Sequence, residues 1–247
     1  MIYERLCKRI GALRLVRFIL TLSATAIFCA CGKSHLDNIS NLGIVTNGAS
    51  SITAIDRSTG FDIAHYSKLY IADPKNKTNA LNYASALRKA GHKNHAVSVL
   101  RTASAYHGMD IEFLSAYGRT TLANDQAAAA IKILAKADDP NRPDWRTVSA
   151  RGTAFAKLGR YKDASYQFER ALKLAPKNPS VMNNLAMAKA ANGDLKIAET
   201  LLSKASQMPI IDPKVKRNLA IVLRLQGRKS DAQNLETEAF LSTKTVE

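Results

Sequence analysis

Apolar positions along this chain recur at spacings of three and four rather than two, and the grid they form returns every 34 residues. One alanine series runs Ala96, Ala130, Ala164, Ala198 and Ala232, and a second runs Ala103, Ala137, Ala171, Ala205 and Ala239. Glycine marks a third register at Gly91, Gly159, Gly193 and Gly227, with Asp125 in the missing place. A fourth series of small residues is Ala84, Gly118, Gly152, Ala186 and Ala220. Registers in step over that many copies predict a repeat built from two helices, and the absence of period-two β-branched runs makes the chain all-α.

Each register has a physical use. Two helices packed closely need small side chains where their backbones meet, because interaxial distance depends on side-chain size at the contact. Glycine falls where the first helix of a pair must end, and it adopts the left-handed cap without a Cβ penalty. Leu100, Leu134, Phe168 and Leu202 lie four residues after the first alanine series and so share its helix face. Asn178-Pro179 and Asp212-Pro213 each place a capping side chain before a proline at the first helical position. Pro176 ends the helix that closes on Leu172-Lys173-Leu174-Ala175. The expected repeats are 77–110, 111–144, 145–178, 179–212 and 213–246.

The ends of the array differ from its middle. Glu236 stands where earlier copies carry leucine or phenylalanine, among Gln233, Asn234, Thr237 and Glu238. A last repeat with nothing stacked on it needs such a polar face. Upstream, Tyr66, Leu69 and Pro74 resemble the second half of a degenerate repeat, so 61–76 is expected to cap the other end. Composition agrees: 46% of residues are apolar but only 6% aromatic, as small residues packed between helices require.

The first thirty residues follow a different logic. Arg5, Lys8, Arg9, Arg14 and Arg17 precede an apolar stretch from Phe18 to Ala30, the layout of a secretory signal. That stretch is shorter than the roughly 20 residues a spanning helix needs, which makes a transmembrane anchor the weaker reading. Phe28-Cys29-Ala30-Cys31-Gly32 resembles a bacterial lipobox, with Ala30 before the cleavage point and Cys31 as the lipidated residue. An ordinary signal with two incidental cysteines is the alternative. All three cysteines lie at or before position 31, so the folded part can form no disulfide. Residues 1–30 are thus read as a signal peptide and 31–60, rich in Ser, Thr, Asn and Gly, as a lipidated cysteine with a flexible tether. Gly32, rather than aspartate, suits outer-membrane sorting, giving an exported protein lipid-anchored in the envelope and facing the periplasm.

Charge narrows the partners. The formal net charge is +16, and removing residues 1–30 leaves 31 Lys+Arg against 19 Asp+Glu. A basic cytoplasmic chain would raise nucleic acid as a partner; export removes it and leaves acidic protein faces, envelope polymers or lipid headgroups. Simple solubility is the plainer account of the same charge. No catalytic constellation accompanies it. His92 and His95 flank the turn at Gly91 with no Cys or carboxylate nearby, so no metal site is expected. Asp138, Asp139 and Asp144 surround two prolines and read as caps. There is no phosphate-binding glycine loop and no Gly-x-Ser-x-Gly elbow. Neither an enzyme nor a cofactor is expected.

The repeats resemble tetratricopeptide repeats (TPR). The third copy matches best, with Gly152, Phe155, Ala164, Phe168 and Pro176 at the signature spacing, while Arg151 replaces the usual leucine and Val148 the usual tryptophan. The resemblance implies a right-handed superhelical α-solenoid of antiparallel hairpins whose first helices line a concave, partner-binding face. In the last two copies that face would present Asn183 and Met187, then Lys214, Arg217, Ile221 and Arg224, a basic stripe interrupted by apolar residues that suits an acidic and apolar peptide. A solvated helix face is the alternative. The carboxylate clamp of some TPR proteins is not supported: Asn184 and Lys214 match two of its places, but Ser149, Thr153 and Asn218 do not. With the lipobox, the runs Asn183-Asn184-Leu185-Ala186 and Asn218-Leu219-Ala220-Ile221-Val222-Leu223-Arg224-Leu225-Gln226-Gly227-Arg228 are similar to the TadD-like TPR lipoproteins of tight-adherence (Flp) pilus assembly. That likeness implies a non-catalytic assembly factor with a secretin or pilus component as partner. Other envelope TPR lipoproteins, serving outer-membrane protein assembly or cell-wall synthase activation, and chaperones for exported subunits remain alternatives.

Overall fold

The computed structural model describes residues 49–209 and 212–244, with side chains described from Gly60 to Thr237 apart from residues 210 and 211. Among the described residues every regular element is a helix. The order is α1 (Ala49–Ala72), α2 (Lys77–Lys89), α3 (Lys93–His107), α4 (Ile111–Ala123), α5 (Ala127–Lys136), α6 (Trp145–Lys157), α7 (Tyr161–Leu174), α8 (Pro179–Ala191), α9 (Leu195–Ser206), α10 (Pro213–Leu225) and α11 (Lys229–Lys244). From α2 onward they form hairpins whose first helices begin at Lys77, Ile111, Trp145, Pro179 and Pro213. Each second helix packs in turn on the first helix of the next hairpin. This is the TPR-like hairpin solenoid.

The registers do what their chemistry predicts. Ala96, Ala130, Ala164, Ala198 and Ala232 are fully buried, as are Ala84, Ala186 and Ala220 within 2%. Closest approach occurs at the glycines. A Cβ on Gly118 would lie 2.6 Å from Cδ2 of Leu134, and one on Gly152 would lie 2.8 Å from Cε1 of Phe168. No real side chain fits such distances, so these two hairpins close around glycine where the others close around alanine.

Turn and cap geometry repeats with the same beat. Gly91, Gly159, Gly193 and Gly227 have φ of +85°, +76°, +97° and +87°, and Asp125 takes the same left-handed region at +60°. In every hairpin the N–H after this residue donates to a carbonyl five residues back: His92 to Leu87, Gln126 to Thr121, Arg160 to Phe155, Asp194 to Lys189 and Arg228 to Leu223. Asp125 tolerates φ > 0 because its short polar side chain suits that region better than most L residues. It also accepts an ion pair from Lys157 of the next hairpin at 2.5 Å. At the other end of each first helix, Asn76, Asp110, Asp144, Asn178 and Asp212 accept N–H bonds from the first turn.

Two regions depart from the sequence reading. The stretch read as a tether, 31–60, is helical from Ala49 onward. The helix is anchored further along, where Ile63, Tyr66 and Tyr70 pack against the core of the first hairpin around Tyr83 and Leu87. Once that end is packed, the helix extends backward residue by residue without a new nucleus. The second departure is Asp138. It is not a cap but a nearly buried carboxylate that accepts a forked pair from Arg170 at 2.7 and 3.2 Å and lies 3.6 Å from Arg151. Arg151, the residue in the usual leucine place, thus reaches across to the preceding hairpin. Asp138 holds the Arg170 guanidinium above its ordinary value, the hydrogen bond outweighing the opposing effect of burial. Asp144 caps α6, and Asp139 accepts the N–H of Asn141 within the loop.

Candidate binding face

Which side of the stack a partner could use follows from how the helices touch. Successive first helices (α2, α4, α6, α8, α10) pack on one another, and no comparable contact joins successive second helices among the described residues. Closer spacing on one side curves the stack toward that side, so the first helices line its inner face.

Two clefts open there, both between the early hairpins. One of about 420 Å³ lies between α2 and α4, with Leu81, Ala84, Leu100 and Ala116 as its apolar part and Arg88, Glu112 and Arg119 among its charged residues. The second, of about 430 Å³, lies between α4 and α6 and is bordered by Ser115, Arg119, Asp139, Arg142, Asp144 and Arg146. Lys77 fixes the acidic side of this region. Its Nζ lies 2.9 Å from both Asp110 and Glu112, and those two hydrogen bonds hold the ammonium above its ordinary value. Asp110 is held below the usual carboxylate range, first by the N–H of Phe113 and then by Lys77. Ser115 and Thr147, both buried, share a hydrogen bond of 2.7 Å that ties α4 to α6 beneath the second cleft. Arg146 stacks on its neighbour Trp145 at 4.6 Å.

Residues named from the sequence occupy the same helix positions further along. Asn183 and Arg217 stand at the register of Ser115, Met187 and Ile221 at that of Arg119, and Lys214 at that of Glu112. Met187 and Ile221 are half-buried, whereas Lys214 and Arg217 are exposed. Asn183 accepts a 2.7 Å hydrogen bond from Asn218, so these two helices are joined by side chains on this face.

The basic stripe is shorter than the sequence indicates. Arg224 donates through both Nη atoms to Glu236 of α11, at 2.6 Å each. Arg228 likewise meets Glu199 at 2.6 Å and Asp231 at 2.7 Å. Asp231 and then Glu199 hold the Arg228 guanidinium above its ordinary value. Glu199 is itself held low by Gln226 and then by Arg228. What remains of the stripe is Arg217 and the apolar Ile221, with Lys214 4.0 Å from Asp212. Cys31 lies outside the described residues. His92 is exposed in its turn, and the ring of His95 packs edge-on against Tyr83 at 5.6 Å. Among the described residues no group of three or more His, Cys, Asp or Glu side chains could hold a metal ion.

Arg88 and Arg119 escaped the sequence reading, although the 34-residue beat carries the signal for them. Stepping back from Arg224 by whole repeats arrives at Arg88, and stepping back from Ile221 arrives at Arg119. Only the structure shows that both border one hollow.

The TPR repeat family pattern matches residues 152–193. No curated protein matches the chain significantly in sequence. Among solved structures, the chain is similar to PilW, described as a widely conserved type IV pilus biogenesis factor. That likeness has 22% identity and a TM-score of 0.66, covering 78% of this chain and 93% of PilW. It is also similar to MamA (41-end) from Desulfovibrio magneticus RS-1, with 17% identity and a TM-score of 0.61, covering 68% and 96% of the two chains. A third is YrrB, described as a TPR protein with an unusual peptide-binding site, with 16% identity and a TM-score of 0.55, covering 70% and 90%. At these identities the likeness is one of fold, a TPR-like solenoid of helical hairpins.

Proposed function

We propose that this TPR protein is an exported, lipid-anchored scaffold that holds a protein partner during assembly of a pilus or secretion machine of the Flp type, with a secretin or pilus component as that partner. The observation that carries the reading is a conjunction in one chain. A lipobox-like segment ends at Cys31. Beyond it stands a cysteine-free solenoid whose likeness to the pilus biogenesis factor PilW spans most of both chains. Acylation at Cys31 holds the solenoid at a membrane surface, since about 0.8 kcal/mol per buried CH₂ makes two or more chains a firm anchor. The tether and α1 then set the inner face at a distance from the bilayer, where it meets a partner assembled in the same membrane. No chemical step is required of such a protein. Its work is to raise the local concentration of one component beside another.

Two measurements test this. Cys31→Ala should abolish metabolic acyl labelling and release the protein from the membrane fraction; unchanged labelling would remove the anchor. Crosslinking of the lipidated protein in its own envelope should capture a secretin or a pilus component. Recovery of a cell-wall synthase instead would favour the alternative envelope role.

A further inference from the structure

The inner-face cations are not equivalent, and the difference points to a particular ligand. Arg88 on α2 and Arg119 on α4 are exposed, border the same cleft, and take part in no ion pair among the described residues. Glu112, the carboxylate that shares the cleft, is already engaged by Lys77 at 2.9 Å. Two guanidinium groups are therefore left without compensation beside a hollow with an apolar part formed by residues such as Leu81 and Ala116. Three other arginines on this face have a local carboxylate: Arg142 lies 3.7 Å from Asp139, Arg146 lies 3.8 Å from Asp144, and Arg224 is bound to Glu236. Arg217 has none among the described residues, but Arg224, the other arginine of its helix face, is already taken, so no second free guanidinium stands beside it.

We infer that the two adjoining clefts along α2, α4 and α6 receive an extended, acidic segment of a partner protein, with Arg88 and Arg119, the latter bordering both clefts, as the carboxylate-binding residues. The inference rests on the reading of the inner face as the partner face and gives that face a location and a chemistry. A guanidinium offers a planar fork that pairs with a carboxylate through two parallel hydrogen bonds, and a half-enclosed cleft screens such a pair less than open water does. An extended strand alternates its side chains, so acidic residues can face the arginines while small or apolar ones meet the cleft's apolar part. Helix axes about 8–10 Å apart put α2 and α6 roughly 20 Å from each other, a span of about six extended residues. A polyphosphate fits less well, because Glu112, Asp139 and Asp144 border the two clefts and would oppose a uniform row of phosphates.

The test uses the full-length protein in detergent and a fluorescein-labelled peptide that alternates Glu with Ala, with a Gln-for-Glu version as control. Anisotropy should show binding of the acidic peptide and none of the control. The double variant Arg88→Glu with Arg119→Glu should weaken binding about tenfold or more, with helical content and melting temperature unchanged. Lys173→Glu, a charge reversal of the same sign on the second helix α7, should leave it unaltered. Equal binding of both peptides would overturn the inference. So would an equal loss of binding in the Lys173 variant, or displacement of the peptide by an oligothymidylate of matched charge as readily as by unlabelled peptide. Failure here is separable from failure of the scaffold reading. An envelope crosslink to a pilus or secretin component that survives the double variant sinks only the placement, whereas no protein crosslink at all sinks the scaffold.

Discussion

The first and last hairpins carry the same arginine at the same helical position and use it differently. Arg88 and Arg224 occupy one register, and twelve residues later the first hairpin has Leu100 and the last has Glu236. Leu100 is 1% exposed because α4 stacks over it. With leucine there, Arg88 has no carboxylate within its own hairpin and faces the cleft. Glu236 is in the last described hairpin, has a side chain 39% exposed, and takes both nitrogens of Arg224. The residue at that register, leucine beneath α4 in the first hairpin and glutamate in the last described one, thus decides more than local packing. It decides whether the inner-face arginine is open to a ligand.

Exchanging the two residues should break the symmetry of that comparison, and the largest effect belongs to Leu100→Glu. A carboxylate placed in the first hairpin's core loses packing and enters a buried site, costing at least about 3 kcal/mol in a urea titration. A midpoint equal to the parent's would mean that α4 does not seal that position. The reverse change, Glu236→Leu, should cost less than about 1 kcal/mol, since the ion pair it removes is half-exposed. A larger loss would show that the Arg224 fork holds α10 to α11. The smallest effect is expected from Lys77 and Asp110, which join the first two hairpins. The Asp110 carboxyl is depressed by the N–H of Phe113 and by Lys77. Its contribution is therefore complete above the unfolded carboxylate pKa of about 4 and is lost as pH falls through the lower folded value. Asp110→Asn, which keeps a capping oxygen, should make the acid limb of the stability curve shallower while leaving the curve at neutral pH nearly unchanged in shape. An unaltered acid limb would assign that sensitivity to other carboxylates.

Much of the architecture was legible because its causes are local. Glycine at 91, 159, 193 and 227 marks the left-handed end of each first helix, and Asp125 could be placed with them before any coordinates, since few other residues accept φ > 0. The alanine series marked the helix contacts for the same kind of reason. Asn76 and Asp110 were harder to see as caps, because no proline follows them as it follows Asn178 and Asp212. The extent of α1 was not legible at all: its Ser, Thr and Gly content resembles a linker, and only packing of Ile63, Tyr66 and Tyr70 on the first hairpin makes helix the better state. Asp138 also misled, because a loop aspartate beside proline ordinarily caps. Its partners Arg151 and Arg170 belong to the next repeat.

The inner face divides along the same line. From the sequence, helical period and repeat length put equivalent residues of each copy at one register, and the TPR resemblance implied that the first helices line the inner face, because period and repeat length are properties of one strand of chain read in order. The sequence could not say which arginines are neutralised, since each depends on a carboxylate brought close by the folding of another helix. Glu236 sits one helix away from Arg224, and Lys77 answers Glu112 from the preceding hairpin. Pairing of that kind is a matter of distance in space, which only the stacked structure decides.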